Sequence, residues 1–330
     1  MKHFAWVCLG VALLAACRKD DVVICDPVAT PATFADLRAA APAVQTFTFA
    51  LGQAQSLRTA GGATVSFPAN AFVLPDGSVA AGSATLRVRE LHSVGDMVLA
   101  GLHTNVAFQN TGLLVSAGEF NVQAWLGSTR LQWKRAVGAA AIQPTLATPV
   151  PTSGLDTTRM LLWKLPFAAN GAVPVVADSA SGWQPGRLQN QGQGQGQSSW
   201  LPLPATSGLY TAVLPLDSIS WINFDQYWRP ASNAAWTWGQ VRVPAGASET
   251  RVYLRPAGYT SLCRTFATAD PTLWQNHFPD GTDVQAIVVQ IRDGQFYFGT
   301  QRYTWRLGQA MAPTLEALSA AEVVRRIRLL

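Results

Sequence analysis

The sequence predicts an all-β protein of two β-sandwich-like domains followed by a short C-terminal helix. Three observations carry this: many short segments alternate at period two, turn residues separate them, and helical spacing of apolar residues is clearest only at the end of the chain.

The first strands are read from Val44 onward. Val44, Thr46 and Thr48 alternate with Gln45, Phe47 and Phe49. Ala84, Leu86 and Val88 alternate with Thr85, Arg87 and Arg89, and Phe120, Val122 and Ala124 alternate with Asn121, Gln123 and Trp125. Pro75-Asp76-Gly77 and Gly127-Ser128 supply turns between such segments. These elements form the first domain, residues 44–137.

Residues 138–200 read as an irregular linker, with five prolines from Pro144 to Pro174 and the Gly/Gln tract Gln189 to Ser199, which cannot bury apolar surface. Trp163 to Phe167 is a further strand candidate. A second β domain spans 201–312, with strands over Tyr210 to Leu214, Ile219 to Phe224, Trp238 to Val243, Thr250 to Leu254, Val284 to Ile291, Gln295 to Phe298 and Tyr303 to Leu307. Asp293-Gly294 between two apolar runs is the strongest hairpin signal. Within residues 313–330, Ser319 and Glu322 have capping-box spacing, and Val323, Ile327 and Leu330 share one helical face.

At 330 residues the chain exceeds the roughly 250 to 300 residues over which one core keeps growing, so two domains are expected. Charged residues make up 13% and hydrophobic ones 48%, with no apolar run after the leader long enough to span a membrane. Net charge is +5, but lysine occurs only at Lys2, Lys19, Lys134 and Lys164, and arginines cluster only at Arg325, Arg326 and Arg328. Nucleic acid is therefore not the expected partner.

Residues 1–16 have the layout of a secretory signal peptide: Lys2, an apolar run from Phe4 to Leu14, and the small pair Ala15-Ala16 before a cysteine. A permanent span needs about 20 apolar residues, so cleavage is expected instead. Leu14-Ala15-Ala16-Cys17 resembles the lipobox of bacterial lipoproteins. The resemblance implies diacylglycerol on the Cys17 sulfur, cleavage before it and acylation of the freed amine. Two or more acyl chains make a lasting anchor, at roughly 0.8 kcal/mol per buried methylene. Lys19, Asp20 and Asp21 next to it are similar to the surface-export signal of some outer-membrane lipoproteins. The alternative is a solvated leash holding the body off the headgroups, on the periplasmic face. Residues 17–43 are read as the tether, with one helical turn at Phe34 to Ala40.

The stretch Gly61 to Phe72, with Pro68-Ala69-Asn70-Ala71, then Asp76-Gly77 and the strand Ala84 to Glu90, resembles the opening of a ZU5-type domain. Leu113 to Gly118 is similar to a segment of uncharacterised cell-surface lipoproteins carrying that module. The likeness covers roughly residues 44–126 and implies a β-sandwich for protein interaction or structure, with no catalytic residues. Read physically, Pro68 suits a strand end and Gly61-Gly62 a turn into the strand. Ser220 to Asp225 resembles a tract beside the module in similar lipoproteins.

No metal or cofactor motif is present. His92, His103 and His277 form no His-x-His or HExxH pattern. Gly192, Gly194 and Gly196 lack the strand and helix of a dinucleotide cradle, and no G-x-S-x-G elbow occurs. A carboxylate pair such as Glu90 with Glu119, or Asp225 with Asp293, is left open, because such spacing is a property of the fold. Cys25 and Cys263 are the two thiols free to pair in an oxidising compartment, and two free thiols are the expectation.

Two functional readings follow. The first is a non-catalytic lipoprotein of the outer membrane whose β domains meet another envelope protein. The second is a carbohydrate-binding surface lipoprotein using Trp228, Trp236 and Trp238, which lie near Pro230 and Asn233 in a loop-like stretch, whereas Trp221 and Trp305 alternate inward.

Overall fold

Period-two patterning becomes five β-sheets, as a computed structural model of the chain shows; it describes residues 31–106, 112–134, 144–151, 159–165, 182–185, 207–214, 221–229 and 234–330. The first strands are β1 (Gln45–Ala50), β2 (Gln55–Arg58), β3 (Thr64–Phe67), β4 (Phe72–Val73), β5 (Ser83–Leu91), β6 (Leu114–Leu126), β7 (Thr129–Arg130), β8 (Gln132–Trp133) and β9 (Thr145–Pro149). Then come β10 (Leu161–Leu165), β11 (Gln184–Pro185), β12 (Leu209–Val213) and β13 (Trp221–Tyr227). The rest are β14 (Trp236–Arg242), β15 (Glu249–Pro256), β16 (Cys263–Arg264), β17 (Phe266–Ala267), β18 (Leu273–Pro279), β19 (Asp283–Arg292), β20 (Gln295–Thr304), β21 (Ala310–Met311) and β22 (Glu316–Leu318). Among the described residues the helices are α1 (Phe34–Ala39), α2 (Val94–Ala100) and α3 (Ala320–Ile327).

A seven-stranded sheet has the order β1-β5-β6-β13-β10-β11, with β7 on β6; β12-β9-β3-β2 form a second sheet. Leu86, Val88, Phe120, Val122, Ile222 and Phe224 from the first meet Val65, Phe67, Leu146 and Tyr210 from the second in one core. Phe49, Phe67, Phe72 and Trp133 close its end, with Phe72 stacked on Trp133 at 4.3 Å. These two sheets are not confined to residues 44–137: β9 and β10 come from the stretch read as an irregular linker, and β12 and β13 from the stretch read as the second domain.

The later strands form β16-β15-β19-β20-β22 and β17-β18-β14-β21. Val252, Leu254, Ala286 and Val288 from the former pack with Val241, Phe278 and Met311 from the latter. Asp293 and Gly294 both take positive φ, 50° and 72°, in the two-residue turn between β19 and β20. Those values suit the type I′ turn that Asp-Gly favours. The strand after it runs unbroken to Thr304, joining two segments read separately from the sequence.

The expected domain boundary at residue 201 differs from what is seen. β12 and β13 pair with β9 and β6, so residues 209–227 belong to the first sandwich. A further core joins both halves: Leu91, Leu114, Trp163 and Trp221 pack with Tyr253, Ile287, Val289 and Phe296, together with residues of the helices. Ala32–Leu330 is accordingly one compact unit. Turn and linker composition gives no sign of which strands pair across it.

The tether expectation also needs correction. Residues 34–39 form α1, whose Phe34 and Leu37 are buried in the shared core. The Arg251 guanidinium lies 3.9 Å above the Phe34 ring, and Phe296 meets its edge at 6.4 Å. Helix α2 has no counterpart in the sequence reading. Its start is fixed by Ser93, whose Oγ accepts from Asp96 N at 3.0 Å while Asp96 Oδ2 accepts from Ser93 N at 3.1 Å. Gly101 ends it in the left-handed region.

Candidate functional site

The first chemical cluster sits where β6 meets β13. Trp221, Asn223 and Asp225 alternate along β13 with Ile222 and Phe224, which fill the sandwich core. Their register to β6 slips between Phe224 and Asp225, so Gly118 faces Phe224 while Ser116 faces Asp225. Such a bulge re-aims side chains. Gly118 takes φ +150°, and a Cβ there would lie 3.0 Å from both His92 Nδ1 and the Phe120 ring.

The side chains then form a chain of hydrogen bonds. Gly118 N donates to Ser116 Oγ at 3.0 Å, and Ser116 Oγ donates to Asn223 Oδ1 at 2.7 Å. The Asn223 amide donates to Asp225 Oδ2 at 2.5 Å and, weakly, to Glu119 Oε1 at 3.5 Å. Glu119 Oε2 and Asp225 Oδ1 are buried without partners, and among the described residues no cation pairs with either. Burial, with the Asp225 charge added, raises the Glu119 carboxyl well above the usual range. Burial raises Asp225 likewise, against the lowering effect of Ser116 and Asn223. Both carboxyls lie closed off from solvent.

Neither carboxylate pair left open by the sequence forms. Glu90 faces Phe120 in the register and Glu119 faces Leu91, so the two acids point to opposite faces of the sheet. Asp293 sits in the β19–β20 turn, in another sheet from Asp225. Glu90 instead accepts from Thr59 Oγ1 at 2.6 Å, Gln45 Nε2 at 2.8 Å and Gly61 N at 3.0 Å, with His92 Nε2 at 3.6 Å. Burial pushes its pKa up, but the His92, Thr59, Gln45 and Gly61 contacts together hold it at about 2. This cluster pins the Gly61-Gly62 turn to β5 and β1.

A polar seam ties the halves together. Thr104 N donates to Leu262 O at 2.8 Å, Ser261 Oγ to Leu114 O at 2.6 Å, and Arg264 N to Asn105 Oδ1 at 2.8 Å. Cys263 lies inside it as a buried free thiol that accepts from Asn276 Nδ2 at 3.1 Å, and burial raises its pKa to about 12. Cys25 lies outside the described residues. Among those residues no group of three or more His, Cys, Asp or Glu gathers to hold a metal.

The aromatic residues separate into buried and outward ones. Trp228, expected in an exposed loop, is 8% exposed and packs edge-on against Phe278 at 5.7 Å in the core between the last two sheets. That removes it from any surface site. Trp236 is half-buried and meets the Trp228 edge at 6.1 Å. Trp238 is 46% exposed and stacks on His277, its cross-strand partner, at 5.0 Å and 28°. Trp221 and Trp305 are core residues. Strand periodicity places Trp236 and Trp238 on one face, but only the path of the chain beyond β13 decides that Trp228 turns inward.

The terminal arginines are also engaged. Arg326 pairs with Glu316 at 2.8 Å and Glu322 at 2.9 Å, Arg325 pairs with Glu322 at 2.7 Å, and Arg328 donates to Ala40 O at 3.1 Å. They fasten α3 to β22 and to the end of α1. Cys17, Lys19, Asp20 and Asp21 lie outside the described residues.

Fold and sites together define an all-β protein whose polar clusters are mainly internal and whose exposed Trp238 lies on a sheet face beside the half-buried Trp236 and His277. No protein-family model matches the chain, and no curated protein matches it.

Proposed function

We propose that this chain is a lipid-anchored lipoprotein of the bacterial outer membrane, and that its body is a non-catalytic module presenting β surfaces to another envelope component. The observation that carries the reading is Cys17, placed directly after Leu14-Ala15-Ala16 at the end of a charged-then-apolar leader. Supporting the non-catalytic half, the carboxyls that could do acid–base work, Glu119 and Asp225, are sealed from solvent, and Glu90 is saturated by structural donors. Among the described residues no helix is long and apolar enough to cross a membrane.

Anchoring is tested by fractionation of cells expressing native protein and Cys17→Ser. The native protein partitions with outer membranes and the variant leaves them; equal partitioning would remove the anchor. Protease treatment of intact cells separates surface display through Lys19, Asp20 and Asp21 from a periplasmic orientation.

For the component that the module contacts, the sequence favours an envelope protein through the ZU5-like stretch. A glycan is the second reading, and the exposure of Trp238 on a sheet face favours it.

A further inference from the structure

Outward positions on the sheet β17-β18-β14-β21 follow from its register. Along β14 they are Trp236, Trp238, Gln240 and Arg242; opposite the last three on β18 stand His277, Gln275 and Leu273, while Pro279, opposite Trp236, is buried. Phe266 lies beyond Gln275, and Ala310 beyond Gln240. Gly239, Val241, Asn276 and Phe278 are the buried alternates. His277 contacts both tryptophans, at 5.0 Å and 5.5 Å, so three rings make a row beside a cross-strand pair of primary amides.

The row is held in place before any ligand arrives. β14 is paired on both sides at Gln240 and Val241, and Gly239 lies directly over the buried Trp305 ring, where a Cβ would approach within 2.4 Å. Trp305 Nε1 donates to Thr237 O at 3.0 Å, fixing that ring beneath the strand. A prearranged aromatic face loses little entropy on binding.

We infer that this face binds a glycan, with one pyranose ring stacked on Trp238 and its rim hydroxyls meeting Gln240 and Gln275. The inference rests on the glycan reading given second above and deepens it. Charge decides between occupants. These outward positions carry no carboxylate and one fixed cation, Arg242, which has Asp270 beside it. That balance complements a neutral or uronate-bearing polysaccharide. A nucleic acid would need a run of cations. An apolar protein surface would bury the two amides without partners, at a cost that a sugar's hydroxyls avoid.

The test uses full-length acylated protein in detergent. Binding to immobilised cello-, chito-, xylo- and galacturono-oligosaccharides is measured for native protein, Trp238→Ala, Trp238→Phe and Gln275→Ala, alongside their melting temperatures and membrane fractionation. At least one oligosaccharide class binds the native protein; Trp238→Ala weakens that binding about tenfold or more with an unchanged melting temperature, and Trp238→Phe recovers part of it. No binding to any class, or binding indifferent to Trp238→Ala, overturns the inference. Because Trp238→Ala stays membrane-bound if the anchor is real, a failure here is distinct from a failure of anchoring, which fractionation of the same samples reads separately.

Discussion

The Asn223 side-chain amide lies between two buried acids, donating to Asp225 at 2.5 Å and to Glu119 at 3.5 Å, and among the described residues no cation pairs with either carboxyl. Burial disfavours the charged form of both acids, and the Asp225 charge adds to the rise at Glu119, so both carboxyls are raised well above their usual range.

The contribution of this pair to stability therefore falls as pH rises. In the unfolded chain these carboxyls ionise above about 4. Their folded pKa values are raised, so the full contribution is present below that value and declines above it, by about 1.4 kcal/mol per pH unit for each proton retained only when folded. Replacing both with amides, Glu119→Gln with Asp225→Asn, flattens that decline. Urea unfolding of native and double-variant protein between pH 5 and 9 checks it; parallel curves would contradict the assignment.

Glu90 behaves in the opposite sense. Its pKa is depressed to about 2, so its contribution is present above the unfolded value near 4.3 and lost as pH falls through about 2. Glu90→Gln leaves the donors on Thr59, Gln45 and Gly61 poorly matched, at about 1 to 3 kcal/mol. The deficit, measured by denaturant unfolding, is largest near neutrality and narrows toward pH 2.

Phe34 tests where the leash ends. Its ring is buried against Phe296 and under Arg251, so Phe34→Ala costs about 3 to 5 kcal/mol. Limited proteolysis of the native protein spares Phe34–Ala39, whereas the variant is cut there. Equal cleavage in both would restore residues 34–39 to the tether.

Cys263 is shielded twice, by burial and by a pKa raised to about 12. A thiol reagent at pH 8 leaves it unmodified in the native state and labels it only after denaturation. Peptide mass mapping reads the site directly.

Much of the architecture was legible residue by residue, and its limits have physical causes. Alternation located most long strands, and Asp293-Gly294 identified its hairpin because that dipeptide tolerates positive φ at both positions. Pairing was not legible: β13 carries the same alternation whether it joins β6 or a later sheet, and only long-range register assigns it. Helix α2 was missed although Ser93 and Asp96 carry its capping box, because most of its residues are buried and no amphipathic stripe marks it. For the site, period two put Trp236 and Trp238 on one face but could not show that Trp228 enters a core. The acid couple had a faint signal, since Asn223 and Asp225 interrupt an apolar run at every second position where a buried polar pair needs a partner strand. Its partner, Glu119, lies 104 residues from Asn223 along the chain.

Everything about where this body works depends on its amino terminus. The intact mass of protein extracted from native membranes is the direct measurement. A chain starting at Cys17 and carrying the added mass of a diacylglyceryl group and an amide-linked acyl chain is the expected result. A soluble chain that retains Met1, or one starting at Cys17 or elsewhere without acyl mass, would contradict the assignment.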